Sequence, residues 1–283
     1  MNIVVLGASG QLGSCLKKIA GERVISNIAF PAEENANILD KTLLEKLFFQ
    51  EKPTYVINCA AYTAVDAAED NIDLCRKVNR DGAANIAEAC KSHGAKLIHV
   101  STDFVFKGNV TGLLTESDPA SPENIYGLTK LEGEVAIAEV LPEHFTLRTS
   151  WLYSEFGNNF VKTMLRLGTE REQLGVIVDQ VGSPTYAIDL AGAIFDIIAS
   201  ESTQYGIYHY SNEGVTSWYD FAKAIFDISG TNVRVIPVKT SEYITKAIRP
   251  AYSVMDKSKI KAEFGITIPY WRDSLAACIE RLA

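Results

Sequence analysis

The sequence predicts an α/β fold, a doubly wound parallel sheet with a smaller α/β lobe. Short apolar runs alternate with amphipathic ones through the first half at a spacing of about 20–30 residues, the pattern of strand, helix, strand. A glycine-rich loop follows the first apolar run and opens the first helical stretch. The second half loses this regularity and has longer connections, as expected of a separate lobe that builds a cleft.

Each element has a local reason. Ile3-Val4-Val5-Leu6 is a buried first strand, and Leu12, Cys15, Leu16 and Ile19 then recur at helical spacing, with Gly21 as a stop. Residues 23–28 read as a second strand, 42–49 as a helix closed by Pro53, and 55–58 as a third strand. Over 79–93, Ala83, Ile86, Ala87 and Cys90 share one helical face, with Gly94 at the end. Residues 96–101 form a fourth strand, 126–139 a helix and 145–149 a fifth strand. Beyond these, 159–167 and 188–199 look helical, and 175–178 and 207–211 look like short strands. Ser217 with Asp220 caps a helix over 218–228, and 267–282 ends in an amphipathic helix. The division falls near Ser150, with the chain free to cross back to the sheet.

Composition narrows the function. The 283 residues are 47% hydrophobic and 22% charged, enough chain for about two domains with no need of a disulfide or structural metal. The net charge of −8 argues against a general nucleic-acid binder, but not against a local pocket for a phosphorylated small molecule. No apolar run approaches the roughly 18 residues of a membrane span, and the N-terminus reads as a strand rather than a signal peptide. Five scattered cysteines without a C-x-x-C pair fit reduced thiols and a cytoplasmic location. His93, His99, His144 and His209 show no metal-ligand spacing.

Gly7-Ala8-Ser9-Gly10-Gln11-Leu12-Gly13 joins the first strand to the first helix with G-x-x-G-x-x-G spacing. Glycine at 7 permits the tight turn, Gly10 lets backbone approach a pyrophosphate, and Gly13 lets helix and strand pack closely. The helix N-terminus supplies free N–H groups for the phosphates. This points to a Rossmann-type dinucleotide-binding domain over 1–150, with 151–283 mainly for substrate. The end of the second strand, Ile25-Ser26-Asn27-Ile28-Ala29-Phe30, holds neither acid nor arginine, so NAD versus NADP stays open.

Tyr126 and Lys130 stand at i, i+4, on one helical face, and Ser121-Pro122 suggests the start of that helix. A tyrosine acid works poorly at its ordinary pKa of about 10. A cation about 4 Å away at an effective dielectric of about 20 is worth roughly 4 kcal/mol, or about three pH units, enough to bring the phenol near neutrality. Ser101 and Thr102 end the fourth strand, at the sheet edge where ligands of open α/β folds bind, with hydroxyls able to meet a substrate carbonyl.

With these motifs on one chain, the sequence resembles the extended short-chain dehydrogenase/reductases, and within them the dTDP-4-dehydrorhamnose reductase family. The resemblance covers nearly the whole chain. It rests on Gly10-Gln11-Leu12-Gly13, the blocks 58–66 (NCAAYTAVD), 101–106 (STDFVF), 148–153 (RTSWLY), 157–164 (GNNFVKTM) and 179–185 (DQVGSPT), and Arg249-Pro250-Ala251-Tyr252-Ser253. It implies a Rossmann domain joined to a sugar-nucleotide lobe, NADPH or NADH as cofactor, and a dTDP-4-dehydro-6-deoxy sugar as substrate. By the same resemblance Gly7, Gly10, Gln11 and Leu12 hold the pyrophosphate, Asn37 and Ile38 lie by the adenine, and Ala61, Tyr62 and Thr63 line the cofactor. Thr102, Tyr126 and Lys130 form the catalytic triad, Asp103 and Trp151 contact the sugar, and Asn159 and Arg249 meet the nucleotide diphosphate.

The implied reaction is hydride delivery to C4 of the keto sugar, with Tyr126 donating the proton and Lys130 holding the ribose. Related 4,6-dehydratases carry Thr-Asp-Glu where this chain has Thr102-Asp103-Phe104, and a phenyl ring cannot protonate a leaving hydroxyl. Dehydration is therefore disfavoured. Some family members carry a metal-linked dimer contact of acidic side chains; the corresponding positions here hold Cys15 and Arg272, so no metal site is expected. A homodimer is the assembly entertained, while the sequence leaves the oligomeric state open. Two other readings stay in view: a reductase of opposite C4 stereochemistry, giving a 6-deoxy-talose nucleotide, and a non-catalytic regulatory subunit of the same fold, against which the Tyr126/Lys130 pair speaks.

Overall fold

The structure, a computed structural model, describes residues 1–282. In chain order its strands are β1 (Ile3–Leu6), β2 (Ile28–Ala29), β3 (Tyr55–Asn58), β4 (Lys96–Thr102), β5 (His144–Thr149), β6 (Leu152–Tyr153), β7 (Gln173–Ile177), β8 (Val181–Gly182), β9 (Thr185–Tyr186), β10 (Gly206–His209), β11 (Thr216–Ser217) and β12 (Arg234–Val238). The helices are α1 (Gln11–Glu22), α2 (Lys41–Glu51), α3 (Val65–Ala68), α4 (Ile72–Arg76), α5 (Gly82–His93), α6 (Ile125–Val140), α7 (Phe160–Glu170), α8 (Ala187–Ser200), α9 (Trp218–Ser229), α10 (Ser258–Phe264) and α11 (Trp271–Leu282).

Six strands form one parallel sheet in the order β10-β5-β4-β3-β1-β2. Strands β1, β3 and β5 are buried throughout, and β4 is buried over most of its length, as a sheet covered on both faces requires. One face packs into a core with Leu12, Leu16 and Ile19 of α1 and the apolar helix α8. The other holds Leu44 and Phe48 of α2 and Ile86 and Cys90 of α5. Strand β10 lies more than fifty residues beyond Ser150 in sequence, yet pairs with β5 as the sixth strand. The chain thus leaves the sheet at residue 150, builds part of the lobe, and returns. The lobe's own pairings are short: β7 with β12, β8 with β11, and β6 with β9.

Three local expectations are corrected. The second strand is only Ile28–Ala29, not 23–28, because Val24 and Asn27 turn to left-handed φ of 53° and 59°, which no strand accommodates. The helix placed over 79–93 begins at Gly82 and is preceded by a π-helical turn over Lys77–Asp81. Helix α6 starts at Ile125 rather than at Ser121-Pro122; Asn124 caps it, accepting the Gly127 N–H at 2.7 Å.

A buried ion pair ties this helix to the sheet. Glu134 of α6 accepts two bonds from Arg148 of β5, from Nε at 3.0 Å and Nη2 at 2.7 Å, and a third from the Ser101 hydroxyl of β4 at 2.5 Å. Breaking such a pair from one side leaves an uncompensated buried charge. Arg148→Met is expected to lower stability by about 3–5 kcal/mol in urea unfolding, and the double variant with Glu134→Leu by clearly less. A single variant as stable as the parent would show that the pair does not hold the helix.

Candidate active site

The carboxyl ends of the parallel strands open into two cavities that share Gly10, Cys59 and Ala61. The first, about 380 Å³, is lined by the glycine loop, Asn37, Ile38 and Pro31. The second, about 450 Å³, is lined by Gln11, Leu12, Thr63, Thr102, Asp103, Tyr126, Lys130, Trp151 and Asn158 among others. A third, about 550 Å³, lies between α3 and the lobe, lined by Asp66, Phe160, Gln180, Trp218 and Arg249 among others.

The glycine loop is shaped for an anionic ligand. Gly7 has φ +75°, and a Cβ there would sit 2.5 Å from the Ala60 backbone nitrogen. No side chain caps the N-terminus of α1 and no acid lies in its first turn, so its N–H groups face the cavity with their partial positive charge. These features fit a dinucleotide pyrophosphate. Ile38 is buried, its carbonyl held by Asn85 at 2.9 Å, while Asn37 is exposed and turns its side chain onto the Leu39 N–H.

The loop bearing Ala61, Tyr62 and Thr63 is held by a residue that sequence reasoning missed. Buried Asn79, in the π turn, accepts the Tyr62 N–H at 2.8 Å and donates to the Tyr62 carbonyl at 3.2 Å and to Thr129 Oγ1 of α6 at 3.1 Å. Helix α6 approaches so closely that a Cβ on Gly133 would overlap the Asn79 carbonyl oxygen. The polar asparagine among apolar helical positions was the only sequence signal, and its partners lie 17 and 50 positions away.

Thr102, Tyr126 and Lys130 line the same cavity, two of them on α6 and one at the end of β4. The Phe104 ring meets Tyr126 edge-on at 5.6 Å. The electrostatics differ from expectation. Burial pushes the Tyr126 phenol up to about 12, and the nearby Thr102 hydroxyl draws it back in part. The Lys130 amine instead donates to the Val100 carbonyl at 2.7 Å and lies 3.3 Å from His99 Nε2. Burial brings Lys130 down to about 8, against the pull of Glu134 one turn further along α6. In the ligand-free site burial thus acts on both groups in the same sense, toward their neutral forms.

Asp103 is buried, and one carboxylate oxygen has no hydrogen-bond partner. Burial raises its pKa to about 6 while Ser253 and Thr102 pull it down. Trp151 adopts φ 48°, a left-handed conformation costly for a bulky residue, and stacks on Trp218 with centroids 3.5 Å apart and planes 8° off parallel. Asn159 caps α7 and donates to Gln11 Oε1 at 2.9 Å and the Ser154 carbonyl at 2.7 Å, so its neighbour Asn158 faces the cleft instead. Arg249 forms two bonds with Asp66, at 3.1 and 2.6 Å, across 183 positions of sequence. Cys15 is buried in the core and Arg272 pairs with Asp227. Among the described residues no group of three or more His, Cys, Asp or Glu is placed to hold a metal, and no helix is long and apolar enough to cross a membrane.

Fold and cleft together define an extended short-chain dehydrogenase/reductase. Comparison with known proteins narrows this. The family model described as the RmlD substrate binding domain matches residues 1–283. A dTDP-4-dehydrorhamnose reductase of Aggregatibacter actinomycetemcomitans is 40% identical, over 96% of each chain. Among solved structures, a dTDP-4-dehydrorhamnose reductase from Clostridium acetobutylicum aligns with a TM-score of 0.95 at 40% identity, covering 100% of this chain and 99% of that one. Another from Bacillus anthracis, in complex with NADP, aligns with a TM-score of 0.95 at 39% identity, covering 99% of this chain and 100% of that one. The chain belongs to the dTDP-4-dehydrorhamnose reductase family.

The Lys130 environment sets a pH signature of stability. Holding an ammonium at about 8 rather than its ordinary 10.5 costs about 3 kcal/mol at neutral pH. Between these values the unfolded chain binds a proton that the folded one does not, so this group's contribution to stability rises with pH from about 8 to 10.5. Lys130→Met is expected to remove that rise and to be the more stable protein at pH 7; denaturation curves across the window that run parallel to the parent's overturn the assignment.

Proposed function

We propose that this protein reduces the C4 keto group of dTDP-4-dehydro-L-rhamnose to give dTDP-L-rhamnose, using NADPH or NADH. The observation that carries this reading is one cleft that brings Thr102, Tyr126 and Lys130 together with the glycine loop at one end and Trp151 and Asp103 at the other. Its relatives' names and the NADP held by the Bacillus anthracis structure support it. None of the residues lining the adenosine-side cavity is a lysine or arginine, so that wall offers a ribose 2′-phosphate no cation. A soluble setting and a homodimeric assembly complete the proposal.

The roles follow from the chemistry of each group. When bound, the reduced nicotinamide supplies hydride. Gly7, Gly10, Gln11 and Leu12 bind the pyrophosphate, Asn37 and Ile38 border the adenine, and Ala61, Tyr62 and Thr63 line the passage between the cavities. Tyr126 carries the proton that the C4 alkoxide needs, and its high pKa keeps that proton in place until the alkoxide forms. Thr102 donates to the same oxygen as charge develops. Lys130 binds the ribose. Phe104 places an unreactive ring where an acid would be needed for dehydration. The unpartnered Asp103 oxygen suits a sugar hydroxyl, and Trp151 forms the wall beside it. Arg249, braced by Asp66, offers its charge to the nucleotide diphosphate, with Asn159 steadying Gln11 behind it.

Incubation with the 4-keto-6-deoxy nucleotide and either cofactor is expected to oxidise the cofactor, with rhamnose identified by NMR as the product sugar. No cofactor oxidation sinks the catalytic reading, and talose as product sinks the stereochemical one. Tyr126→Phe is expected to lower kcat by about a hundredfold or more while cofactor binding, followed by fluorescence, stays near the parent value. Arg249→Gln is expected to raise KM for the nucleotide sugar by about tenfold with a smaller change in kcat; an effect on kcat alone would place Arg249 elsewhere in the mechanism.

A further inference from the structure

Behind the catalytic cleft, Asn58, His99 and Lys130 form a buried file, each about 1% exposed. Asn58 Nδ2 lies 3.0 Å from His99 Nδ1, His99 Nε2 lies 3.3 Å from Lys130 Nζ, and Lys130 Nζ lies 2.7 Å from the Val100 carbonyl oxygen. One end of the file has a fixed direction. The Ala60 N–H donates to Asn58 Oδ1 at 3.0 Å, and a backbone N–H can only donate. The Asn58 amide therefore turns its NH₂ toward His99, and His99 Nδ1 accepts. Burial keeps this imidazole neutral, and a neutral ring that accepts at Nδ1 carries its proton on Nε2.

That proton points at Lys130. An ammonium has three donors and no lone pair, so it would meet the Nε2–H donor against donor. A neutral amine accepts it. With the amine neutral, every link runs from donor to acceptor: Ala60 to Asn58, Asn58 to His99, His99 to Lys130, Lys130 to Val100. The other groups facing Lys130 are Glu134 on its own helix, which favours the ammonium, and the thiols of Cys59 after β3 and Cys75 on α4; His144 of β5 faces His99 and disfavours a second charge there.

We propose that His99 is a positioning residue, locked by Asn58 as the Nε2–H tautomer, that biases Lys130 toward its neutral amine in the ligand-free protein and makes cofactor binding a proton-uptake step. The proton comes from solvent and adds to the Nζ lone pair, which gives up the hydrogen bond it accepted from His99 Nε2–H; no other covalent bond changes. The anionic cofactor favours the resulting ammonium. The uptake rests on the cofactor reading above, whereas the tautomer lock does not.

The test is made first without cofactor. The Lys130 midpoint is followed by carbon NMR of its ε-methylene, assigned with Lys130→Met. In Asn58→Asp the carboxylate accepts from both Ala60 and His99 Nδ1–H, reversing the tautomer and offering the Nε2 lone pair to the ammonium. The midpoint is expected to rise by about one pH unit or more. Because the new charge also acts through space, the same change is made in a His99→Phe background, where most of the rise is expected to vanish. A rise that persists there, no rise at all, or a parent midpoint at the ordinary lysine value overturns the proposal. Calorimetry of NADPH binding to the parent chain at about pH 8.5, in buffers of different ionisation enthalpy, is expected to show uptake of a substantial fraction of a proton per site. Binding without uptake overturns the proposal. Absence of binding counts against the cofactor reading, while the ligand-free titration still decides the tautomer lock.

Discussion

Glu134 and Arg148 meet in the interior with only about 3% of each side chain exposed, and the geometry of the cleft depends on that contact. Tyr126, Lys130 and Glu134 occupy three successive turns of α6 on one face. Anchoring the last of them to β5, and through Ser101 to β4, fixes the direction in which the other two project. The Gly133–Asn79 crossing sets how near the helix comes, and Asn79 passes that distance on to the loop bearing Ala61, Tyr62 and Thr63. A buried ion pair adds little net stability over an apolar pair of the same shape, but it has a direction and a register. Here the register is that of a helix that must present a phenol and an amine at one strand end.

The parts of the site legible in the sequence are those whose spacing is local. The glycine loop and the Tyr126–Lys130 pair are each contained within one element and its turn, so linear periodicity reveals them. The five main strands of the first half were also recognisable, except that β2 shrank to two residues once Val24 and Asn27 took left-handed φ. What was illegible is the environment. The through-space argument for Lys130 acting on Tyr126 used charge and distance but not burial. In the fold both groups are desolvated, and the amine is turned to His99 and Val100. The Asn79 clamp and the Asp66–Arg249 pair join residues tens to nearly two hundred positions apart, and composition carries no trace of such pairings.

The lobe is stitched to the platform by polar contacts rather than by one broad apolar seam alone. Asn159 reaches the glycine loop at Gln11, and Arg249, Ala247 and Lys246 meet Asp66 and Asp70 beside the third strand's loop. Asn124 at the start of α6 donates to the Ile248 carbonyl. The segment around 244–249 therefore touches the platform at the same edge where α6 begins. Strand β10 closes the arrangement by returning the lobe's chain to the main sheet, so the two parts share a strand as well as a cleft.

The stacked indoles have a consequence of a different kind. Trp151 faces the cavity lined by Tyr126 and Lys130, and Trp218 the cavity that holds Arg249, so the pair is the partition between them. Gly182 lies against the other side of Trp151, where a Cβ would come within 2.8 Å of the ring, which leaves the partition little room to tilt. Of the chain's three tryptophans, two are thus electronically coupled in one wall. The protein carries its own optical gauge: the emission and near-ultraviolet dichroism of that pair respond to what fills the space on either side of it, with no label attached.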